Sequence, residues 1–205
     1  MIRLTAFLML AAVSTTTVAD DWQQMFDGKS FSGWKINENP ESWKIEDGTL
    51  RCQGDRSHLF YVGDDKEFTN FEFECEVKTM PEANAGIYFH TKFQDSGWPR
   101  YGYECQVNIS HRDFRKSGSL YSVVDVDVPE GIKDGEWYTT KIRVEGKTVT
   151  VSINGKQLYQ YTEPPTKPAY SDGFDRRLGS GTFALQAHDP GSIVYFRNLK
   201  VKRLP

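Results

Sequence analysis

The stretch Asn84-Ala-Gly-Ile-Tyr-Phe-His-Thr-Lys-Phe93 decides the fold, together with Tyr101-Gly-Tyr-Glu-Cys-Gln-Val-Asn108, which follows a turn-rich segment. Apolar and polar side chains alternate in each, and successive side chains of a β-strand point to opposite faces. Each segment therefore has one apolar face for a core and one polar face. We expect two strands joined by a loop.

The polar face of this strand pair is suited to binding a polar ligand. His90 lies on the polar side of the first strand, and Glu104 and Gln106 lie on that of the second. Solvated strands normally carry Lys, Thr and Glu, whereas imidazole and amide groups beside a carboxylate can hydrogen-bond a ligand and transfer a proton. An ordinary solvated face remains the alternative at this point.

A third segment, Thr182-Phe-Ala-Leu-Gln-Ala-His-Asp189, repeats the pattern near the C-terminus. Gln186 and His188 fall on its polar side. If this strand lies in the same sheet, its two polar side chains join the earlier ones on one surface. Two His, a Glu and two Gln on the polar sides of otherwise apolar strands favour a binding or catalytic site.

The rest of the chain consists of short alternating segments between Gly, Asn and Asp turns. Asp47-Gly48 and Asn154-Gly155 are typical of two-residue hairpin turns, and no segment repeats apolar residues at helical spacing over more than two turns. These patterns predict an all-β, single-domain β-sandwich or jelly roll. Further strands are expected over 22–26, 43–52 around a turn, 71–77, 137–145, 148–153, 157–161 and 194–201.

The first 19 residues have the layout of a secretory signal. Arg3 precedes a short apolar run, and small residues follow up to Ala19. The apolar run is too short to span a bilayer. We expect residues 1–19 to be a cleaved signal peptide and residues 20–205 to form the domain, periplasmic or secreted and without membrane insertion.

Composition excludes some classes of partner. The 205 residues include 28 acidic and 25 basic side chains, for a formal net charge of −3. Such a balance gives no sign of the basic surface that binds nucleic acid or anionic membranes. Cys52, Cys75 and Cys105 permit at most one disulfide, and we favour buried thiols over a bridge. The sequence does not determine the oligomeric state.

Six motifs along the chain occur together in one known domain family. They are Phe26-Asp-Gly-Lys-Ser-Phe-Ser-Gly-Trp34, Trp43-Lys-Ile-Glu-Asp-Gly-Thr-Leu50, Asn84-Ala-Gly-Ile-Tyr-Phe89, Gly102-Tyr-Glu-Cys-Gln106, Gly118-Ser-Leu-Tyr121, and Leu185-Gln-Ala-His-Asp-Pro-Gly191 with Tyr195-Phe-Arg-Asn-Leu199. In this order they resemble the DUF1080 family, now described as 3-keto-disaccharide hydrolase, or 3-keto-glucoside 1,2-lyase and 3-keto-2-hydroxyglucal hydratase. The resemblance implies a concanavalin-like jelly roll and sugar chemistry outside the cytoplasm.

The resemblance also implies a reaction. A ketone at C3 of a sugar acidifies the C2 proton, so a base can remove that proton and the C1–oxygen bond can break by elimination. Water then adds to the enone, and the net result is hydrolysis. The reaction needs a base near C2, an electrophile at the ketone oxygen and an acid at the leaving oxygen. We assign Glu104 as the base, or as ligand of a metal that polarises the ketone, and His188 as the acid/base partner.

Further side chains would bind the substrate. Those expected to hold hydroxyl groups or to complete a metal shell are Asn84, His90, Gln106 and Gln186, and Tyr121 would stack on the sugar or hydrogen-bond to it. The presence and identity of a divalent metal stay open. Retaining jelly-roll glucanases carry paired carboxylates about 5–5.5 Å apart. Gln106 and Asn108 follow Glu104 on its face, which disfavours a double displacement from this strand.

The alternative function is a non-catalytic carbohydrate-binding, lectin-like module. The aromatic residues that would then supply a stacking surface are Trp34, Trp43, Trp98 and Tyr101, although the hairpin position of Trp43 favours the core. A lectin binds unoxidised sugar and leaves the C2 proton in place, whereas the enzyme exchanges it in deuterated water. Two basic runs, 111–116 and 175–177, are typical of solvated loops, although a loop beside the site would clamp a polyol or anionic ligand.

Overall fold

A computed structural model describes residues 21–205, so the expected signal peptide lies outside the described residues. This part of the chain contains thirteen strands, one 3-10 turn at Pro40–Ser42 and no α-helix. Among residues 21–205, no helix is long and apolar enough to cross a bilayer.

Eight strands form the larger sheet, and every pairing within it is antiparallel. They are β1 (Gln23–Gln24), β3 (Trp43–Glu46), β4 (Thr49–Cys52), β6 (Phe71–Thr79), β9 (Tyr138–Glu145), β10 (Thr148–Ile153), β11 (Lys156–Thr162) and β13 (Val194–Arg203). Their spatial order is β11-β10-β9-β6-β13-β4-β3, and β1 pairs with β13. The strands expected in these segments are confirmed.

Five strands form the smaller sheet, also fully antiparallel. They are β2 (Trp34–Ile36), β5 (Ser57–Tyr61), β7 (Asn84–Thr91), β8 (Tyr103–Asn108) and β12 (Thr182–Ala187). The order β2-β5-β12-β7-β8 places the strand pair and the third polar segment side by side, as the site hypothesis requires.

The hydrophobic core lies between the two sheets, which pack face to face. Phe183 of β12 contacts Phe71 and Phe73 of β6, with ring centroids 4.8 and 4.9 Å apart, and all three rings are fully buried. Burying a ring of this size contributes about 1.5–3 kcal/mol. The predicted all-β jelly-roll sandwich is confirmed.

The predicted hairpin turns have the expected backbone geometry. Asp47 and Gly48 have φ of 48° and 74°, and Asn154 and Gly155 have φ of 49° and 77°. Two successive residues with positive φ make the turn that matches the twist of a hairpin. These turns fix the β3–β4 and β10–β11 registers.

The three cysteines are buried free thiols. Cys75 and Cys105 lie on the core sides of their strands, as their alternation predicted. Burial raises the pKa of the Cys105 thiol to about 12. The preference for buried thiols over a disulfide is confirmed.

Candidate functional site

The outer face of the smaller sheet carries a cavity of about 270 Å³. The antiparallel register of β7 and β8 sets Tyr88 opposite Glu104, and β12 sets Ala184 opposite Tyr88. Alternate side chains of three adjacent strands therefore form the floor. Six of the seven site residues predicted from sequence line the cavity: Asn84, Glu104, Gln106, Tyr121, Gln186 and His188.

Glu104 is a buried carboxylate at the centre of this floor. Its Oε1 accepts a hydrogen bond from Gln186 Nε2 at 3.0 Å, and Oε2 lies 3.7 Å from Nη1 of Arg176. Burial raises the pKa of the Glu104 carboxyl, while the charge of Arg176 and hydrogen bonds from Tyr88 and Gln186 oppose that rise. A carboxylate with a raised pKa is a stronger base than one in water.

Two amide side chains carry acceptors without partners. Gln106 Nε2 donates to Asn84 Oδ1 at 2.6 Å, and Gln186 Nε2 also donates to the Tyr88 hydroxyl at 2.9 Å. The Oε1 atoms of Gln106 and Gln186 are buried and find no donor among residues 21–205. An unsatisfied buried polar group costs about 1–3 kcal/mol. Hydroxyl groups of a bound ligand would remove that cost.

His188 follows the last residue of β12 and is held by its neighbour. Its Nδ1 lies 2.7 Å from Asp189 Oδ2, and Asp189 accepts further hydrogen bonds from the Gly191 and Ser192 backbone and from Ser192 Oγ. Although burial opposes it, these hydrogen bonds lower the pKa of Asp189. Because the carboxylate accepts a hydrogen bond from Nδ1–H, Nε2 remains available for acid/base chemistry.

His90 does not line the cavity, and the expectation that it shares the polar face is wrong. The register of β12 on β7 shifts between Thr182 and Ala184, and His90 has φ of 55°. Such a bulge breaks the two-residue alternation on which the prediction depended. His90 Nε2 donates to the Thr69 carbonyl at 2.9 Å, and Nδ1 accepts from the Gly179 backbone at 3.2 Å.

Sequence reasoning missed six residues of the cavity as site residues: Tyr88, Trp98, Asp113, Tyr170, Phe174 and Arg176. Tyr88 follows the same alternation as Glu104 and was detectable. The other five lie on loops, which have no periodicity. The sequence did mark Trp98 as a stacking ring and the run 175–177 as a candidate clamp.

The aromatic residues proposed as a lectin-like platform are dispersed. Trp34 is buried, and its Nε1 donates to the Met25 carbonyl at 2.6 Å. Trp98 lines the cavity with its ring centroid 5.4 Å from that of His188. Tyr101 is exposed and lies outside the cavity. Trp43 is buried in the core, as its hairpin position favoured. One ring of the four is therefore placed to stack on a ligand there.

The acidic, His and Cys side chains of residues 21–205 do not by themselves form a metal centre. In the described part of the chain, no group of three or more His, Cys, Asp or Glu side chains is placed to hold a metal ion. The buried carboxylate of Glu104 already lies 3.7 Å from the Arg176 guanidinium, a cation that would repel a metal ion. Hard cations such as Ca²⁺ need several oxygen ligands, which one ion-paired carboxylate does not supply.

This sandwich, with a polar and aromatic cavity on the outer face of its smaller sheet, is a jelly-roll protein with a site for a polar ligand. The chain belongs to the 3-keto-alpha-glucoside-1,2-lyase-like domain family, whose model matches residues 21–202. The family resemblance seen in the motifs is confirmed.

Relatives agree with this assignment. The chain is 30% identical to a 3-keto-disaccharide hydrolase of Bacteroides thetaiotaomicron over 91% of this chain and 79% of that protein. A Parabacteroides distasonis protein, described as a candidate glycosyl hydrolase, is 22% identical and superposes with a TM-score of 0.77 over 93% of this chain and 99% of its own. The carbohydrate-binding module CBM66 of Bacillus subtilis, 14% identical, shares the fold with a TM-score of 0.58 over 83% of this chain and 95% of its own.

Proposed function

We propose that this protein is a secreted or periplasmic enzyme that cleaves 3-keto-glycosides by elimination followed by hydration. The observation that carries this proposal is that Glu104, a buried carboxylate, and His188, oriented by Asp189, line one cavity. A base and an acid in one pocket match the two proton transfers of an elimination. The relative named 3-keto-disaccharide hydrolase supports the same substrate class.

The elimination begins at C2. The Glu104 carboxylate takes the C2 proton, and the electrons of the C2–H bond form a C2=C3 double bond with negative charge on the C3 oxygen. The enolate then collapses: C3=O re-forms, C1=C2 forms, and the C1–oxygen bond breaks. His188 gives its proton to the leaving oxygen. The products are an enone with a hydroxyl at C2 and the free aglycone alcohol.

Hydration reverses the proton transfers. Water adds its oxygen to C1 of the enone while His188 takes a proton from that water. Glu104 returns its proton to C2, and the product is the 3-keto sugar. Both side chains regain their starting protonation states, so the whole cycle consumes one water and no other reactant.

The amide side chains would orient the sugar ring. The unpartnered Oε1 atoms of Gln106 and Gln186 would accept hydrogen bonds from sugar hydroxyls, and Asn84 holds Gln106 in place. Trp98 and Tyr121 would contact the apolar face of the ring. Orientation of this kind keeps C2 over the base, which is what makes a positioned carboxylate effective.

The test is a matched pair of chromogenic substrates, an aryl 3-keto-glucoside and the aryl glucoside itself, each as both anomers. We expect the purified protein, residues 20–205, to release the aryl alcohol from a keto substrate only. Binding of plain oligosaccharides without release from any substrate would support the lectin-like module instead. Equal cleavage of keto and plain glucosides would overturn the elimination. N-terminal sequencing of the exported protein tests cleavage after Ala19.

A further inference from the structure

We propose that Arg176 is the catalytic cation of this site, with its guanidinium stabilising the enolate oxygen that forms at C3. The inference rests on the proposed function, because it assigns the electrophile that the elimination needs. Neither the strand pattern nor the family motifs include this residue, which lies on the loop between β11 and β12.

Arg176 is a buried cation held by aromatic rings. Its side chain is about one-tenth exposed. The guanidinium carbon lies 4.7 Å from the ring centroid of Tyr121, 5.4 Å from that of Tyr170 and 5.7 Å from that of Phe174. Ring faces attract a cation at such distances, and the attraction is stronger when the cation is desolvated. The guanidinium is therefore fixed before a substrate arrives.

The guanidinium is incompletely paired. Glu104 is the one carboxylate within ion-pair distance of it in the described part of the chain, at 3.7 Å between Oε2 and Nη1. Its Nε is buried and finds no acceptor among residues 21–205. A buried charged donor without a partner is costly. An oxyanion in the cavity would supply the missing acceptor.

The backbone at Arg176 is strained, and its neighbours hold it in that state. Its φ is 44°, in the left-handed region that is unfavourable for a residue with a side chain. On either side, the Asp175 backbone donates to the Arg100 carbonyl at 2.7 Å, and the Leu178 backbone donates to Glu163 Oε2 at 2.7 Å. Strain that neighbouring bonds maintain is found at functional sites.

The position of Arg176 relative to the base fits the charge that develops. C2 and C3 of the sugar are bonded, so a substrate with its C2 hydrogen at Glu104 places the C3 oxygen within a few ångströms of Arg176. When Glu104 takes the proton it becomes neutral, and negative charge appears on the C3 oxygen at the same time. The guanidinium then exchanges a carboxylate partner for the enolate. A preorganised donor of this kind gives about 10²–10³-fold in rate.

The experiment compares Arg176→Gln and Arg176→Lys with Arg143→Gln as the control. Arg143 lies on β9 of the larger sheet, away from the cavity, and pairs with Glu72 and Glu145. We expect Arg176→Gln to lower kcat about 10²–10³-fold with a smaller change in KM, Arg176→Lys to retain part of the activity, and Arg143→Gln to match wild type. Thermal unfolding checks that each variant is folded. If Arg176→Gln does not fold, Arg176→Lys, which keeps a positive charge, still tests the role of the guanidinium.

Two readouts separate a catalytic cation from a structural one. In Arg176→Ala, added guanidinium chloride should restore part of kcat, whereas urea, its neutral planar analogue, should not. Since Arg176 lowers the pKa of Glu104, its removal should also move the acidic limb of kcat/KM to higher pH. A structural role predicts neither effect.

The outcomes distinguish this inference from the function on which it rests. If wild type releases no aryl alcohol and exchanges no C2 proton, the proposed function fails. If wild type is active but Arg176→Gln stays within threefold of it, Arg176 is not the cation. Loss of wild-type activity in chelator with recovery on adding Mg²⁺ or Mn²⁺ overturns the inference in favour of a metal. Loss of activity in the variants without guanidinium rescue and without a shift of the acidic limb would also overturn the inference, in favour of a structural role for Arg176.

Discussion

The carboxyl group of Glu104 on β8 occupies the space beside Gly86 of β7, its diagonal neighbour across the strand pair. A Cβ built on Gly86 would stand 2.9 Å from Glu104 Cγ and would overlap the carboxyl oxygen Oε1. Glycine is therefore required here by space and not by backbone conformation, because its φ is not positive. The absence of a side chain at one position of β7 creates the place for the proposed base.

Substituting Gly86 by alanine tests this relationship. We expect Gly86→Ala to displace the carboxyl, since a 1 Å misplacement of a reacting group can cost about 10²-fold in rate. The measurement is kcat/KM for the aryl 3-keto-glucoside. Gly179→Ala is the matched control, because a Cβ there meets no atom within 4 Å. Equal activity of the two variants would show that the carboxyl position does not matter.

The pH profile of kcat/KM should report the ionisation of Glu104. A general base works only when deprotonated, so activity rises with pH through the carboxyl pKa. Burial raises that pKa above 4.5, and the acidic limb should therefore lie above the range of an ordinary Glu. The measurement is kcat/KM from pH 4 to 8. A limb at or below 4.5 would contradict the role of a buried carboxylate.

Asp189 should be needed for the acid/base role of His188. In Asp189→Asn a neutral amide replaces the carboxylate that accepts the hydrogen bond from Nδ1–H, so the imidazole loses the charge that favours this tautomer. We expect kcat to fall about 10²-fold. Asp127→Asn, at an exposed position, serves as the control and should leave kcat unchanged. An aglycone alcohol of lower pKa needs less protonation to leave. If kcat falls less with such a substrate, the defect of Asp189→Asn lies in protonation of the leaving group.

His90 should contribute to stability and not to catalysis. Burial lowers its pKa to about 4 from 6.5, so between these values the unfolded chain binds more protons than the folded one. The contribution of His90 to the free energy of unfolding is complete above pH 6.5 and is lost as pH falls towards 4. We expect His90→Gln to flatten that part of the pH dependence in urea unfolding, with kcat/KM within a few-fold of wild type.

Another histidine contributes in the same pH range. Burial also lowers the pKa of His58, to about 3, so His58 contributes to the wild-type slope as well. His90→Gln should therefore reduce the slope without abolishing it. An unchanged slope, or a loss of activity as large as that of a Glu104 variant, would contradict the structural assignment of His90.

Strand alternation predicted the site floor because each of these strands buries one apolar face against a common core. Glu104, Gln106 and Gln186 were placed on one surface for that reason, and the structure brings them together. Alternation missed β5, whose five residues are all buried, since a strand covered on both faces has no polar side to mark it. It also misplaced His90, because a one-residue bulge reverses the face of every residue beyond it.

The cavity residues on loops could not be predicted from strand alternation. Arg176 and Trp98 enter the cavity because hydrogen bonds distant in sequence fix their loops, such as that from the Gly97 backbone to Glu38 Oε1 at 2.9 Å. No local pattern encodes such contacts. The sequence therefore indicated the residues proposed as base and acid, while the proposed cation required the structure.

The central claim is that Glu104 removes the C2 proton of a 3-keto-glycoside. Proton NMR of an aryl 3-keto-glucoside in deuterated water, with wild type and with Glu104→Gln, tests it most directly. The account predicts that wild type replaces the C2 proton with deuterium in the sugar product, with the enone as intermediate, and that folded Glu104→Gln does neither. Turnover by wild type with the C2 proton retained, or exchange by Glu104→Gln at the wild-type rate, would contradict it.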